Sequence, residues 1–372
     1  MIYTFSGAKI IKKSIASTTN SFYQHFLYFC RLILRSKMVE NLRLSIIVPV
    51  YNRPDEVAEL LASLAKQTDP DFEVLIIEDG STLRCEEVCK QYEGKLNLHY
   101  FFKPNSGRSE TRNYGMDRAS GNYFIVFDSD CIMPPQYVET VKRYLNSDYV
   151  DCYGGPDAAD SSFNDMQKAI SYAMTSMLTT GGIRGATKNV NKFSPRSFNM
   201  GIAKEVYEKI GGYKNMIGED IDLSFRIKEA GFKSRLFPDA YVYHKRRVNL
   251  KKFFRQVNTF GKARILLNTL HPGTLKLVHL LPACFVIGNI LLVLAAMISL
   301  LCHWTYWWIF LVPIGVYVLA IFIESLVKNK SIKIAFMSIA ACYCQLFGYG
   351  TGFIHEFITR EASKKTQEEL YK

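Results

Sequence analysis

Residues 121–130 read Gly121-Asn122-Tyr123-Phe124-Ile125-Val126-Phe127-Asp128-Ser129-Asp130, an apolar run that ends in two aspartates separated by one residue. A Gly-Asn turn followed by Tyr, Phe, Ile and Val predicts a buried strand. Asp128 and Asp130 then stand at its carboxyl end, on one face of the extended chain, where open α/β sheets place their ligands. Two carboxylates so placed repel one another unless a cation lies between or beside them. Hard oxygen ligands suit Mg²⁺ or Mn²⁺, which keep positions open for substrate phosphates. The pattern points to a metal–diphosphate site, although Asp-Ser-Asp on its own is also ordinary turn chemistry.

The preceding sequence supplies a scaffold for such a site. Leu44-Ser45-Ile46-Ile47-Val48-Pro49-Val50-Tyr51-Asn52 predicts a β-branched strand stopped by turn residues. Asp55 to Gln67 carries Val57, Leu60, Leu61 and Leu64 on one helical face. Phe72 to Ile77 predicts a second strand ending at Glu78-Asp79-Gly80-Ser81, and Leu98 to Phe102 a third, before Asn105-Ser106-Gly107-Arg108. A helix through Arg112, Asn113 and Met116 leads into the strand that ends at Asp128. Alternation of this kind implies an α/β fold with a doubly wound, mostly parallel sheet. Loops carrying Asp or Asn then meet at one sheet edge, as a nucleotide pocket requires. No Gly-x-Gly-x-x-Gly follows the first strand, which argues against a dinucleotide enzyme.

The 372 residues exceed one such domain, and from Leu275 the composition turns apolar. Leu275–Cys302, Trp307–Ile323 and Ile334–Ile354 are each near the ~20 residues that cross a bilayer as a helix. Trp304, Tyr306, Trp307 and Trp308 sit between the first two runs like an interfacial belt. Lys328, Lys330 and Lys333 fill the link between the second and third, which places that link, and the head before Leu275, on the cytoplasmic side of an inner membrane. Three full crossings would export the tail with Arg360, Lys364 and Lys365; a partial third crossing would keep it inside.

The net charge of +12 is concentrated in two stretches without a single acid. Residues 1–37 hold Lys9, Lys12, Lys13, Arg31, Arg35 and Lys37; residues 245–264 hold Lys245, Arg246, Arg247, Lys251, Lys252, Arg255, Lys262 and Arg264. Both fit contact with an anionic leaflet, and no nucleic-acid motif accompanies the charge. The nine cysteines show neither metal nor disulfide spacing, which predicts free thiols. The expected organisation is a basic, interfacial segment over 1–43, a head over 44–244, a basic membrane-surface linker over 245–274, a membrane region over 275–355 and a polar tail over 356–372.

Five motifs now stand in order: Val48-Pro49-Val50-Tyr51-Asn52, Glu78-Asp79-Gly80-Ser81, Asn105-x-Gly107 through Arg112-Asn113-x-Gly115, Asp128-x-Asp130, and Gly218-Glu219-Asp220. Together they resemble the family 2 glycosyltransferases of GT-A fold, from about Leu44 to His244. The resemblance implies that Pro49, Tyr51 and Asn52 hold the base and ribose of a nucleotide-sugar, a UDP-sugar foremost, and that Asp79 faces the base. Glu78 stands where the family more often has a first Asp. It further implies that Arg112 approaches the nucleotide or its phosphates, that Asp128 meets the ribose or sugar, and that Asp130 binds Mg²⁺ or Mn²⁺ with His244 completing the shell. Asp220 is implied as the base that deprotonates the acceptor hydroxyl, with Glu219 beside it. Phe198-Asn199-Met200-Gly201 resembles the acceptor-side loop, and Gly181-Gly182-Ile183-Arg184-Gly185 is a candidate lid. Asp222, in the first turn of the same helix, has an ordinary structural role at a helix start.

The implied activity is inverting transfer of a sugar to a lipid-linked or other glycan acceptor at the bilayer, in cell-surface glycan assembly. A processive polysaccharide synthase carries Gln-x-x-Arg-Trp after the catalytic acid, whereas this chain reads Arg255-Gln256-Val257-Asn258-Thr259-Phe260. A synthase acting directly on polyprenyl phosphate is a second alternative. A non-catalytic membrane scaffold with a degenerate head is a third, opposed by the presence of both Asp130 and Asp220.

Overall fold

The computed structural model describes residues 41–158, 163–181, 194–244 and 249–363, with side chains to residue 360. Residues 1–40 of the basic N-terminal segment, most of the candidate lid (182–185), Lys245 to Arg247, and Lys364 and Lys365 lie outside the described residues.

The head is a seven-stranded sheet in the order β3-β2-β1-β4-β8-β6-β9. Its strands are β1 (Leu44–Val50), β2 (Glu73–Asp79), β3 (Asn97–Lys103), β4 (Tyr123–Phe127), β6 (Cys152–Gly154), β8 (Asn199–Ala203) and β9 (Ser234–Leu236). A second sheet joins β5 (Cys131–Ile132), β10 (Val242–His244) and β7 (Asp157–Ala158) in the order β5-β10-β7. The helices of the head are α1 (Pro54–Leu64), α2 (Glu86–Lys90), α3 (Arg108–Arg118), α4 (Tyr137–Ser147), α5 (Asp165–Thr175), α6 (Met177–Thr180), α7 (Lys204–Ile210) and α8 (Glu219–Glu229).

β1, β2, β3 and β4 pair in parallel. Every residue of β2 and β4 is buried, which is why these strands read as unbroken apolar runs rather than alternating ones. From β1 the chain builds outward to β2 and β3, then returns to lay β4 on the other flank of β1. That reversal is a topological switch point, and it opens a crevice beyond the carboxyl ends of β1 and β4. The expected parallel α/β architecture is therefore the one observed. The far half of the sheet is mixed, since β8 runs antiparallel to both β4 and β6.

Phe198-Asn199-Met200-Gly201, expected as a loop, instead enters β8. Its Asn and Gly are poor strand formers, but a place between β4 and β6 satisfies its backbone on both sides.

After the head come α9 (Leu250–Leu270), α10 (Leu281–Leu301), α11 (Val312–Asn329) and α12 (Ile332–Ser363). Leu281–Leu301, Trp307–Asn329 and Ile332–Arg360 are long and apolar enough to cross a membrane. The first two are only 11% buried and expose Leu291, Ile298, Val316 and Leu319, apolar surface that water does not favour. The third is 44% buried, because α9 and α5 cover it. A Cβ on Gly261 of α9 would fall 2.1 Å from the Tyr349 carbonyl oxygen of α12, so the two backbones touch. Ala169, Ile170 and Ala173 of α5 pack with Ile334, Ala341 and Cys342 of α12.

Candidate active site

One end of the crevice is closed by bonds between loops. Asn52 sits at φ 54°, a left-handed conformation that Asn tolerates. Its side-chain oxygen accepts from the Thr82 and Leu83 backbone N–H groups, both at 2.9 Å, and its own N–H donates to Ser81 Oγ at 2.8 Å. The β1 and β2 loops are thereby fastened together, with Tyr51 exposed at the rim and Pro49 half-buried beside it. Gly80, at φ 71°, lets the β2 loop pass so close to Asn105 that a Cβ would meet its backbone nitrogen at 2.6 Å.

Asp79 is buried, and its carboxylate accepts from Lys103 Nζ and from the backbone N–H groups of Ser106 and Gly107, each at 2.9 Å. Burial opposes its charge, but Lys103 and the Ser106 N–H outweigh that and hold its pKa below the ordinary carboxylate value. In this structure the Asp79 carboxylate organises the β3–α3 loop. Glu78, at the position where the family more often has Asp, is fully buried and accepts from Tyr100 Oη at 2.5 Å.

At the end of β4 the aspartates diverge. Asp128 accepts from Arg112 Nη2 at 2.8 Å. The Asp130 carboxylate oxygen lies 3.1 Å from His244 Nε2. The cause is the second sheet, in which β5 and β10 run antiparallel with His244 directly opposite Cys131. Phe198 stacks on the His244 ring with centroids 4.8 Å apart and fixes its plane. Ligand atoms of Asp130, Cys131 and His244 all fall within 4.8 Å of one another. Burial, reinforced by Asp130 and Asp128, pushes the Cys131 thiol well above its usual range. Asp130 and His244, with Cys131 beside them, are residues that could hold a divalent cation.

Arg112 is 2% exposed and spends its guanidinium within the protein, donating to Asp128 and, at 2.9 Å, to Glu219 Oε1. Burial opposes the charge, but Asp128, Tyr213 and Glu219 outweigh it and keep the group protonated. Glu219, also buried, accepts a second arginine, Arg108, at 2.8 Å. These bonds hold the start of α8, whose next residue is Asp220. The Asp220 carboxylate is partly exposed, accepts from the Ile221 N–H at 2.8 Å and lies 3.6 Å from Arg196 Nη1. Asp222 points away from the crevice: it is fully buried between Arg226, at 2.8 Å, and His271, at 2.9 Å.

Direct contacts form two groups, Asp128–Arg112–Glu219 and Asp130–His244, which adjoin because Asp128 and Asp130 are two residues apart, and Asp220 follows Glu219 in sequence. Asn199 and Met200 are wholly buried. The Asn199 side chain accepts from Tyr137 Oη at 2.6 Å and donates to the Ala240 carbonyl at 2.8 Å, a commitment to the sheet and not to the crevice. Arg108, Lys103 and Arg196 were not singled out by sequence reasoning. Their partners lie up to 111 residues away, and no local pattern announces them.

Comparison with known proteins agrees with this geometry. Residues 45–211 match the model of glycosyl transferase family 2. Glycosyltransferase GlyA of Streptococcus pneumoniae is 36% identical over 109 residues, covering 29% of this chain and 16% of its own. Glycosyltransferase AglE of Haloferax volcanii is 26% identical over 259 residues, covering 66% of this chain and 80% of its own. The mannosyltransferase PcManGT from Pyrobaculum calidifontis, solved with GDP-Man and Mn²⁺, superposes with a TM-score of 0.51 at 15% identity, over 95% of this chain and 98% of its own. This chain spans about a sixth of GlyA's length, 16%. Residues 45–211 are thus similar to glycosyl transferase family 2, within a head of GT-A fold that is followed by three C-terminal helices long and apolar enough to cross a membrane.

Proposed function

We propose that the protein is a membrane-anchored, inverting glycosyltransferase that moves a sugar from a nucleotide-sugar onto a lipid-linked acceptor. The observation that carries this reading is the Arg112 bridge. It joins Asp128, two residues before the cation candidate Asp130, to Glu219, one residue before the candidate base Asp220. Donor and acceptor chemistry are thereby held in fixed relation, the precondition for an in-line displacement.

In this account Tyr51 and Pro49 receive the base, and Asn52 and Asp79 hold the loops that shape its pocket. Asp128 meets the ribose or sugar. Asp130 and His244 would hold Mg²⁺ or Mn²⁺, which when bound takes up charge that develops on the diphosphate. Asp220, at a helix start facing the crevice and still partly exposed, accepts the proton of the acceptor hydroxyl as that oxygen attacks the anomeric carbon. The nucleoside diphosphate leaves from the opposite face, so the configuration inverts.

The same reading assigns 44–244 as the catalytic head, 245–274 as the membrane-surface linker and 275–355 as the membrane region, with the head in the cytoplasm against an inner membrane. Supporting this orientation, Lys333 of the basic link pairs with Asp165 of α5 at 2.8 Å, which ties that link to the head. The test is to incubate detergent-purified protein with UDP- and GDP-sugars, with and without Mn²⁺, and to measure nucleotide release and the anomeric configuration of the product. Metal-dependent release of one nucleotide with inverted product supports the reading; a retained configuration overturns the mechanism.

A further inference from the structure

Beside Asp220 the head, α9 and the turn before the first candidate span share a row of cationic side chains. Arg196 Nη1 stands 3.6 Å from the Asp220 carboxylate. α9 lies against the start of α8, where Ile221 packs with Ala263 and Leu267. Its end is pinned there too, since His271 bonds Asp222 and Glu229 at 2.9 and 2.8 Å. Arg264, next to Ala263 on α9, is close enough to Arg196 and Asp220 to feel both charges. Burial and the neighbouring Arg196 hold its pKa below the ordinary arginine value, with Tyr349 and Asp220 opposing them. A guanidinium so placed gains from an added anion, since burying a cation is unfavourable until it is paired.

The row continues into the turn Leu277–His279. His279 Nδ1 accepts from the Lys276 backbone N–H at 3.0 Å. Its Nε2 therefore carries the hydrogen of the neutral ring and can donate it. The ring lies within electrostatic reach of Arg264 and Lys276. Lys276 is exposed at the rim. Two residues after His279, α10 begins. Phe285 and Asn289 of that helix line a cleft of about 240 Å³ with Pro313, Tyr317 and Tyr343 of the other candidate spans. Phe285 lies six residues past His279, roughly 9 Å along a helical rise. An amphiphile with an anionic head and a long apolar tail matches both features, whereas a free anion would leave the cleft without purpose.

We propose that Arg196, Arg264, Lys276 and His279 Nε2–H form a binding site for the phosphate or diphosphate head of a long-chain lipid, whose chain lies in the cleft lined by Phe285 and Tyr343 and whose attached acceptor group is presented to Asp220. This rests on Asp220 as the base of the proposed transfer. Arginine forks bind phosphate oxygens in pairs, and a head group held there fixes the distance from membrane to crevice.

The test is equilibrium binding to the full-length detergent-purified protein, using farnesyl diphosphate, farnesol, inorganic pyrophosphate, and UDP or GDP with Mn²⁺ as separate probes. Farnesyl diphosphate is expected to bind at least tenfold more tightly than either farnesol or pyrophosphate. Arg264→Gln should weaken it at least tenfold while changing nucleotide affinity less than twofold. Lys276→Gln, at an exposed position that tolerates substitution, should weaken it in the same direction and serves if Arg264→Gln does not fold. Pyrophosphate binding as tightly as the lipid diphosphate would overturn the lipid assignment. Loss of nucleotide affinity with lipid affinity intact would assign the row to the donor and also overturn it. Absent nucleotide binding in the wild-type protein would instead count against the proposed transfer, independently of the lipid result.

Discussion

Arg112 holds Glu219 at 2.9 Å with both side chains 3% exposed, across 107 residues of sequence. The same guanidinium reaches Asp128 at 2.8 Å, so the end of β4 and the start of α8 cannot move independently. Arg112→Met should therefore destabilise the head by about 3–5 kcal/mol, the usual consequence of removing one partner of a buried pair. Arg112→Lys should not restore it, because one ammonium cannot reproduce the fork. Thermal unfolding of the two variants in detergent checks this. Wild-type stability in Arg112→Met would show that the bridge carries no structural weight.

Asp220→Asn should leave nucleotide affinity unchanged and lower transfer by about 10²–10⁴-fold, the range for a lost general base. Glu219→Gln should act differently, weakening the Arg108 and Arg112 contacts and lowering stability together with activity. Comparing donor binding with turnover separates the two. A fully active Asp220→Asn protein would assign the proton to another group.

His244→Gln should weaken Mn²⁺-dependent nucleotide binding less than Asp130→Ala does, because the carboxylate supplies the charge and the imidazole a neutral donor. Titration of nucleotide binding against Mn²⁺ reads both. Equal loss in both variants would indicate that the 3.1 Å contact between them, and not ligation by each, is what matters.

Asp79 gives a pH signature. Its folded pKa lies below the ordinary value of 3.8, so the unfolded chain takes up the proton first. Its contribution to stability is fully present above that ordinary value and is lost as pH falls through the folded one. The stability gap between wild type and Asp79→Asn should accordingly be constant near neutrality and close on acidification below about pH 4. A gap unchanged down to pH 3 would mean that the Asp79 charge plays no part.

Gly261→Leu should separate α9 from α12, because even a Cβ there would meet the Tyr349 carbonyl oxygen at 2.1 Å. Overpacking of this kind costs about 1–3 kcal/mol, and it should also reduce transfer to a membrane-borne acceptor more than donor hydrolysis. Comparison of the two activities in one preparation tests the coupling.

The parallel half of the sheet was legible because β1, β2 and β4 are buried on both faces and so read as continuous apolar runs between turn residues. The apolar helices were legible by length and composition alone. β8 was not, since Asn199, Met200 and Gly201 acquire strand geometry only from β4 and β6. Asp128 and Asp130 were visible at a strand end, and the resemblance implied their division of labour without showing what produces it. It depends on Arg112 reaching one and on β10 carrying His244 to the other, contacts between segments far apart in sequence. The engagement of the Asp79 carboxylate by Lys103 and the β3–α3 loop was likewise not visible in the sequence. Sequence reports a residue's chemistry and its neighbours along the chain; partners in space must be read from the fold.

The most direct test of the central claim is nucleotide release from UDP- and GDP-sugars by the purified protein, with and without Mn²⁺, alongside Asp130→Ala. The account predicts metal-dependent release of one nucleotide by the wild type and its loss in Asp130→Ala. No release from any donor, together with no Mn²⁺-dependent nucleotide binding, would contradict it.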